Sequence, residues 1–276
     1  MTTKSVLSGL KIGILGAGNM GQALVRGLVE ESVYPQNISV FDIDKKKMAL
    51  VRKEAHVKLA KSNRHCASLS DVIILAVKPQ ILQEVTEEIL TAVDQDALVI
   101  SIAAGVPISK IEAYLKKPVP VIRVMPNMPA LVGSGMSAFS LGKHATQKHR
   151  KIAEGILSAL GEIVQVPEKM LDLVTAVSGS GPAYYFLMTE KLIEAAYEMG
   201  MKVDMAKKIV YQTAFGAAKV MTQSQDDPED LIDKVASKGG TTEAALKVFQ
   251  KEGFGKIIQD AVKAACKRSK EMSQGK

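Results

Sequence analysis

The sequence predicts an α/β first part followed by an all-α second part, and three observations carry that prediction. Short β-branched runs alternate with helical segments as far as Pro167; from Glu168 onward no strand candidate interrupts the helical spacing; and the later helices are rich in Ala, Met and Leu on more than one face. Alternating strands and helices imply βαβ units and a parallel sheet. Helices that are apolar on several faces are buried against a partner. The expected division is residues 1–167 and residues 168–276, the second part serving dimerisation.

Taken in order, KIGIL, ISVF, VIILAV, ALVISI and VPVIRVM read as strands, mostly apolar throughout, as expected when helices cover both faces of a sheet. MGQALVRGLVEE and PQILQEVTEEILTAV are helical stretches between them. VGSGMSAFSLG and EIVQV add strands that flank the helix TQKHRKIAEGILSAL. Beyond Pro167, AYYFLMTEKLIEAAYEMG, DMAKKIVYQTAFGAAKVMTQ, PEDLIDKVAS, TTEAALKVFQKEG and FGKIIQDAVKAACKRSKEM all carry helical spacing. The break before TTEAAL is SKGG, a pair of glycines that a helix interior would not keep.

Composition excludes several function classes. Among 276 residues there is no Trp, and Cys66 and Cys266 are the only cysteines, too few and too far apart for a zinc or redox motif. His56, His65, His144 and His149 show no i, i+4 ligand spacing, so no metal is expected. The net charge of +7 is spread along the chain without interleaved aromatic residues, and no nucleic-acid partner is expected. The basic stretch KAACKRSKEMSQGK reads as a solvated helix end, where Lys and Arg oppose the dipole. The opening MTTKSVLSGLKIGILGAG has a lysine ahead of apolar residues, but its glycines and Lys11 break the signal-peptide pattern. With no run approaching the roughly 20 apolar residues of a membrane span, the expectation is a soluble, cytoplasmic protein.

The chemistry begins at KIGILGAGNMGQALVRGL. Gly16, Gly18 and Gly21 stand in a G-x-G-x-x-G pattern directly after a strand and opening a helix, and Asp42 closes the next strand. That context makes the first part a Rossmann-type dinucleotide-binding domain. Its loop, Leu15, Gly16, Ala17, Gly18, Asn19 and Met20, would cradle a pyrophosphate at the helix N-terminus. Asp42 is placed to accept from a ribose 2′-OH and to repel a 2′-phosphate, while Lys45, Lys46 and Lys47 offer the opposite sign, which leaves NADPH and NADH both open. Ligands of open α/β sheets lie beyond the carboxyl ends of strands. Ala76, Val77, Lys78 and Pro79, together with Ile102, Ala103 and Ala104, are therefore expected along the cofactor, with a solvated loop lysine an equal reading for Lys78. In AVSGSGPAYYF, Ser180 has a free hydroxyl at a helix start suited either to plain capping or to a carboxylate.

GAGNMG, AVKP, SIAAGV, RVMPNMP, SGSGPAYYF and LIDKVASKGGTTEAALKVF together resemble the pyrroline-5-carboxylate reductases, in order and over essentially the whole chain. The resemblance implies hydride transfer from NAD(P)H to the C=N carbon of a five-membered cyclic imine bearing a carboxylate, the last step of proline biosynthesis. It also implies homodimers through interlocked helical domains, often five dimers in a decamer, with each active site completed across two chains. Thr242 matches the family's catalytic-site threonine, the hydrogen-bond partner expected for the imine nitrogen. Gly240 and Thr241 would hold the substrate carboxylate through the backbone, unless Thr241 only caps its helix. Glu168 falls where the family has an acid near bound proline, and Asn63 where an asparagine contacts the cofactor. NADPH-selective members tend to carry small polar residues where this chain has Asp42 and Ile43, a departure that leaves NADH open. Two rival functions share parts of this pattern. One is another imine or β-hydroxyacid reductase, which commonly has a linker-region catalytic lysine that is absent from the start of AVSGSGPAYYF; the other is a non-enzymatic dinucleotide sensor, free to lose the GGTT loop.

Overall fold

The computed structural model describes residues 6–274. They form two compact units: one runs to Ser180 and takes in the chain again from Ala265, and the other is Gly181–Ala264.

The first unit is built on an eight-stranded sheet of order β3-β2-β1-β4-β5-β6-β7-β8. Its strands are β1 (Ile12–Leu15), β2 (Ile38–Phe41), β3 (Lys58–Leu59), β4 (Val72–Leu75), β5 (Leu98–Ser101), β6 (Val121–Met125), β7 (Gly135–Leu141) and β8 (Gly161–Gln165). β1 pairs in parallel with β2 on one side, Ile12 facing Ile38, and with β4 on the other, Ile12 facing Val72. Strand order therefore reverses at β1, which puts a ligand crevice at the carboxyl ends of β1 and β4. Successive side chains alternate between two cores: Ile12, Ile14, Ile74 and Ile100 pack on one face, Leu15, Ile73, Leu75 and Val99 on the other.

One pairing departs from the parallel expectation: β7 runs antiparallel to β6. Only Pro126–Ser134, containing a 3-10 turn over Met128–Val132, joins them, too short for the dozen or more residues of a parallel crossover. The edge strand β3 escaped the sequence reading because two residues carry no periodicity; it pairs with β2 through Ser39 and Lys58.

The helices of this unit are α1 (Asn19–Glu30), α2 (Lys45–Ala55), α3 (Asn63–Ser68), α4 (Leu82–Ile89), α5 (Ile108–Leu115), α6 (Gln147–Leu157) and the short α7 (Leu171–Val174). α1 buries Ala23, Leu24, Val25 and Leu28. α2 starts at Asp44, whose carboxylate accepts from the N–H groups of Lys46 and Lys47, and α3 starts at Ser62, which accepts from His65 N–H. The stretch from Glu168 to Ser180 stays with the sheet unit, so the compact units part at Ser180 and the expected division at Pro167 falls inside the first. The physical reason is packing: Leu171 and Ala176 are fully buried, and Glu168 is bonded into the sheet domain.

The second unit consists of α8 (Gly181–Glu198), α9 (Val203–Gln223), α10 (Pro228–Val235), α11 (Thr241–Lys251) and the start of α12 (Phe254–Ser273). Among its described residues only Gly181 and Ala206 are buried. Tyr185, Phe186, Leu187, Phe215 and Val248 are all more than half exposed. Helices with this much uncovered apolar surface lack a core of their own, and such patches mark association surfaces.

Candidate active site

The glycine loop leaves β1 at the crevice. Gly16 N–H donates to Phe41 O at 2.8 Å, and a Cβ on Gly16 would stand 2.4 Å from Ala76 O, so no other residue lets β1 and β4 approach this closely. Gly18, by contrast, faces open space with nothing within 4 Å. It is the N-cap of α1 and offers no side chain to the helix's free N–H groups. An open, uncapped helix start with room over a glycine fits a pyrophosphate. Gln22 braces the loop, its Nε2 donating to Ala17 O at 2.8 Å.

Asp42 turns out to be part of that brace. Its Oδ2 accepts from Ala17 N–H at 2.7 Å and its Oδ1 from Asp44 N–H at 2.8 Å. Each carboxylate oxygen is thus engaged by main chain, one of them by the glycine loop itself. Ala76 and Val77 are half-buried at the end of β4, Lys78 is exposed, and Pro79 opens a 3-10 turn. Ile102 N–H donates to Leu75 O at 3.2 Å and Ala103 N–H to Ser101 Oγ at 3.4 Å, which holds the loop after β5 beside the loop after β4. Asn63, buried at the start of α3, donates from Nδ2 to Glu88 Oε2 of α4 at 2.7 Å.

In the helical unit, α10 ends at Val235 and Gly240 is the N-cap of α11. Gly239 takes φ +73°, a conformation other residues adopt at a cost, and its N–H donates to Glu243 Oε2 at 2.6 Å. Glu243 also meets Lys247 Nζ at 2.9 Å; that hydrogen bond first, and the one from Gly239 next, hold its carboxyl below the usual range. Thr241 and Thr242 occupy the first turn. No side chain caps this helix, so the role of cap falls to Gly240 rather than Thr241, and both threonine hydroxyls are left for other partners.

Glu168 has a definite occupation within the sheet unit. Its Oε1 accepts from Ile108 N–H at 2.7 Å, serving α5, whose N-cap Pro107 has no side-chain acceptor. The same oxygen accepts from Arg123 Nη1 at 3.2 Å, and the Arg123 side chain is only 6% exposed. The chain then passes through a π-helical turn, Thr175–Gly179, closed by Ser180 N–H donating to Thr175 O at 2.8 Å. Such turns concentrate at functional sites.

A sequence profile described as pyrroline-5-carboxylate reductase dimerisation matches residues 168–272, and one described as NADP oxidoreductase, coenzyme F420-dependent, matches residues 11–105. The pyrroline-5-carboxylate reductase of Pseudomonas aeruginosa is 37% identical over 265 residues, covering 96% of this chain and 97% of its own. This chain belongs to the pyrroline-5-carboxylate reductase family. Among solved structures, the pyrroline-5-carboxylate reductase of Coxiella burnetii superposes with a TM-score of 0.91 at 34% identity, over 96% of this chain and 98% of that one. The Plasmodium falciparum pyrroline carboxylate reductase, solved with NADP bound, gives 0.86 at 32% identity with the same coverages. The Rossmann-like sheet followed by helical dimerisation region is the arrangement of this family.

For a pyrroline-5-carboxylate reductase, the fold gathers Leu15 to Met20, Asp42, Ala76 to Pro79 and Ile102 to Ala104 around one crevice, while Gly240, Thr241 and Thr242 share one helix start in the helical unit. Glu168 and Asn63 arrive already bonded, to Arg123 with Ile108 and to Glu88 respectively. Sequence reasoning passed over Asn127 and Ser178. Asn127 Nδ2 donates to Ser178 Oγ at 3.2 Å and to Ser178 O at 3.3 Å, while its Oδ1 accepts from Met136 N–H at 2.9 Å. The available signal was a polar residue between prolines in MPNMP at the end of a buried strand. Glu88 and Arg123 gave none, since their partners lie far away in sequence.

Proposed function

We propose that the chain reduces 1-pyrroline-5-carboxylate to L-proline, with Thr242 as hydrogen-bond donor to the imine nitrogen and the α1 crevice as dinucleotide site. When bound, the reduced nicotinamide of NADH or NADPH supplies the hydride to the C=N carbon. The nitrogen gains a proton in the same conversion, and a hydroxyl pointed at it favours the more basic, amine-like transition state. The observation that carries this assignment is the GGTT turn. Gly239 is fixed in a left-handed conformation by Glu243, and Gly240 caps α11 without a side chain. The first-turn N–H groups and the Thr242 hydroxyl therefore stand at one helix start without a side-chain cap, where N–H groups favour a carboxylate.

Gly240 and Thr241 hold the substrate carboxylate through the backbone, and Ser180 lies at a second helix start suited to the same charge. Glu168 serves the site by fixing Arg123 and α5, and its other oxygen remains the candidate contact for the substrate amine. Asn63 borders the cofactor from α3. The assembly proposed is a homodimer through the helical region, carried by the exposed apolar residues of α8 and α9, with a decamer of five dimers as the larger form. Among the described residues no helix is long and apolar enough to cross a membrane. The cytoplasm is the proposed compartment, in keeping with two unpaired cysteines.

The test is absorbance at the reduced-nicotinamide band, with purified chain, pyrroline-5-carboxylate, and NADH or NADPH in parallel cuvettes. Imine-dependent loss of absorbance is the expected result. A folded chain that binds dinucleotide yet oxidises neither form would overturn the assignment.

A further inference from the structure

We infer that the last turns of α12 position the loop Ile102–Val106, making Ser269 and Met272 positioning residues for dinucleotide binding; this rests on the crevice being the dinucleotide site. From Ala265 onward α12 belongs to the sheet unit. Ser269 is its one buried residue among those described, an unusual choice where an apolar side chain would simply fill space. It is explained by Asp172: Ser269 Oγ donates to Asp172 Oδ1 at 2.7 Å, and Ser273 Oγ lies 3.3 Å from the same oxygen. Asp172 sits in α7, whose Leu171 is fully buried, so this carboxylate is a fixed anchor.

One turn along, Met272 lies against the loop itself. A Cβ on Gly105 would be 3.2 Å from Met272 Cβ and 3.7 Å from Ser273 N. Gly105 directly follows Ile102, Ala103 and Ala104. The inner side of that loop is tied to the sheet through Leu75 O and Ser101 Oγ, and the helix end bounds it at Gly105. A loop held from both directions before the ligand arrives loses less conformational freedom on binding, which appears as tighter binding rather than faster chemistry.

Two measurements on the full chain test this. In the first, hydrogen exchange is followed with and without NADPH and NADH. Slower exchange on binding is expected at residues 102–106 and, with it, at 268–274; protection at 102–106 with none at 268–274 overturns the inference. In the second, Ser269→Ala and Asp172→Ala, which remove the same hydrogen bond from either side, should each raise the dinucleotide Kd and KM by about fivefold, the size of one hydrogen bond's net contribution. The kcat and the KM for the imine should stay within about twofold, and Ser269→Thr should restore the dinucleotide constants. Unchanged dinucleotide constants in folded Ser269→Ala, or kcat and both KM values worsening together, overturn it. A wild-type chain that binds no dinucleotide overturns the crevice assignment as well, an outcome distinct from these.

Discussion

Replacing Asp42 with asparagine separates two tasks that a carboxylate at the end of β2 can perform. The substitution keeps the shape but turns an amide donor toward one of the two N–H groups now bonded at 2.7 and 2.8 Å. A hydrogen bond to a charged acceptor contributes about 1.5–3 kcal/mol, and the variant exchanges one such bond for a donor facing a donor. One of the donors is Ala17 in the glycine loop, and its bond is either lost or weakened to one with a neutral acceptor, so the loss reaches the pyrophosphate site, common to both dinucleotides. At about 1.4 kcal/mol per factor of ten, the Kd for NADH, which feels only the lost brace, should rise about tenfold. Losing the negative charge favours the 2′-phosphate form alone, and beside a half-buried carboxylate this is worth from about 1 kcal/mol at full water screening to about 4 kcal/mol at the effective dielectric typical near a protein surface. The Kd for NADPH should therefore rise less than that for NADH, or fall. Titration of each reduced dinucleotide by its fluorescence gives both numbers. If NADH affinity is unchanged in Asp42→Asn while NADPH binds more tightly, the carboxylate acts on the 2′ position alone and the loop-bracing argument is refuted.

Three further outcomes are expected. Thr242→Ala should lower turnover about tenfold or more while dinucleotide affinity survives, as loss of a hydrogen bond made in the transition state requires; unchanged turnover removes Thr242 from its role. Glu168→Ala strands a guanidinium that is only 6% exposed and should cost about 2 kcal/mol in denaturant unfolding, below the usual range for buried pairs because Glu168 itself reaches solvent; Arg123→Met should cost less, since the carboxylate left behind can be hydrated. His149 closes a capping box on α6, its Nδ1 accepting from Thr146 N–H at 3.1 Å. Burial first, and Lys148 next, lower its pKa from 6.5. The unfolded chain then takes up the proton more readily, so this cap stabilises fully above about pH 6.5 and is lost as pH falls through the lower folded value. Thermal melts across that window should fall less steeply for His149→Gln, whose amide keeps the cap without titrating; identical slopes would exclude His149 as the cause.

Much of the fold is legible in local pattern because local pattern causes it. KIGIL, VIILAV and ALVISI are apolar on both faces because helices cover the sheet on both sides, and the outer glycines of GAGNMG at the end of β1 are forced by close backbone approach at Gly16 and Gly21. The surplus of exposed apolar residues along α8 and α9 was visible as helices with no single polar face, which is how a partner surface looks in one chain. What remained hidden depends on residues that meet from far apart. Nothing near Asp42 reveals that its carboxylate holds Ala17, nothing in PEKM reveals that Glu168 caps α5 and pairs with Arg123, and nothing in KRSKEM shows Ser269 bonded to Asp172. The antiparallel turn of β7, by contrast, follows from the short Pro126–Ser134 connection, too few residues for a parallel crossover. The sequence by itself determined the central strands, the helical second part, the glycine loop, the GGTT turn and the family, since each is written in contiguous residues with a local physical cause. Only the tertiary structure decided which carboxylates are free for ligands and which are spent on the scaffold, because a hydrogen bond is a property of two groups and their distance, and the chain places those partners by folding.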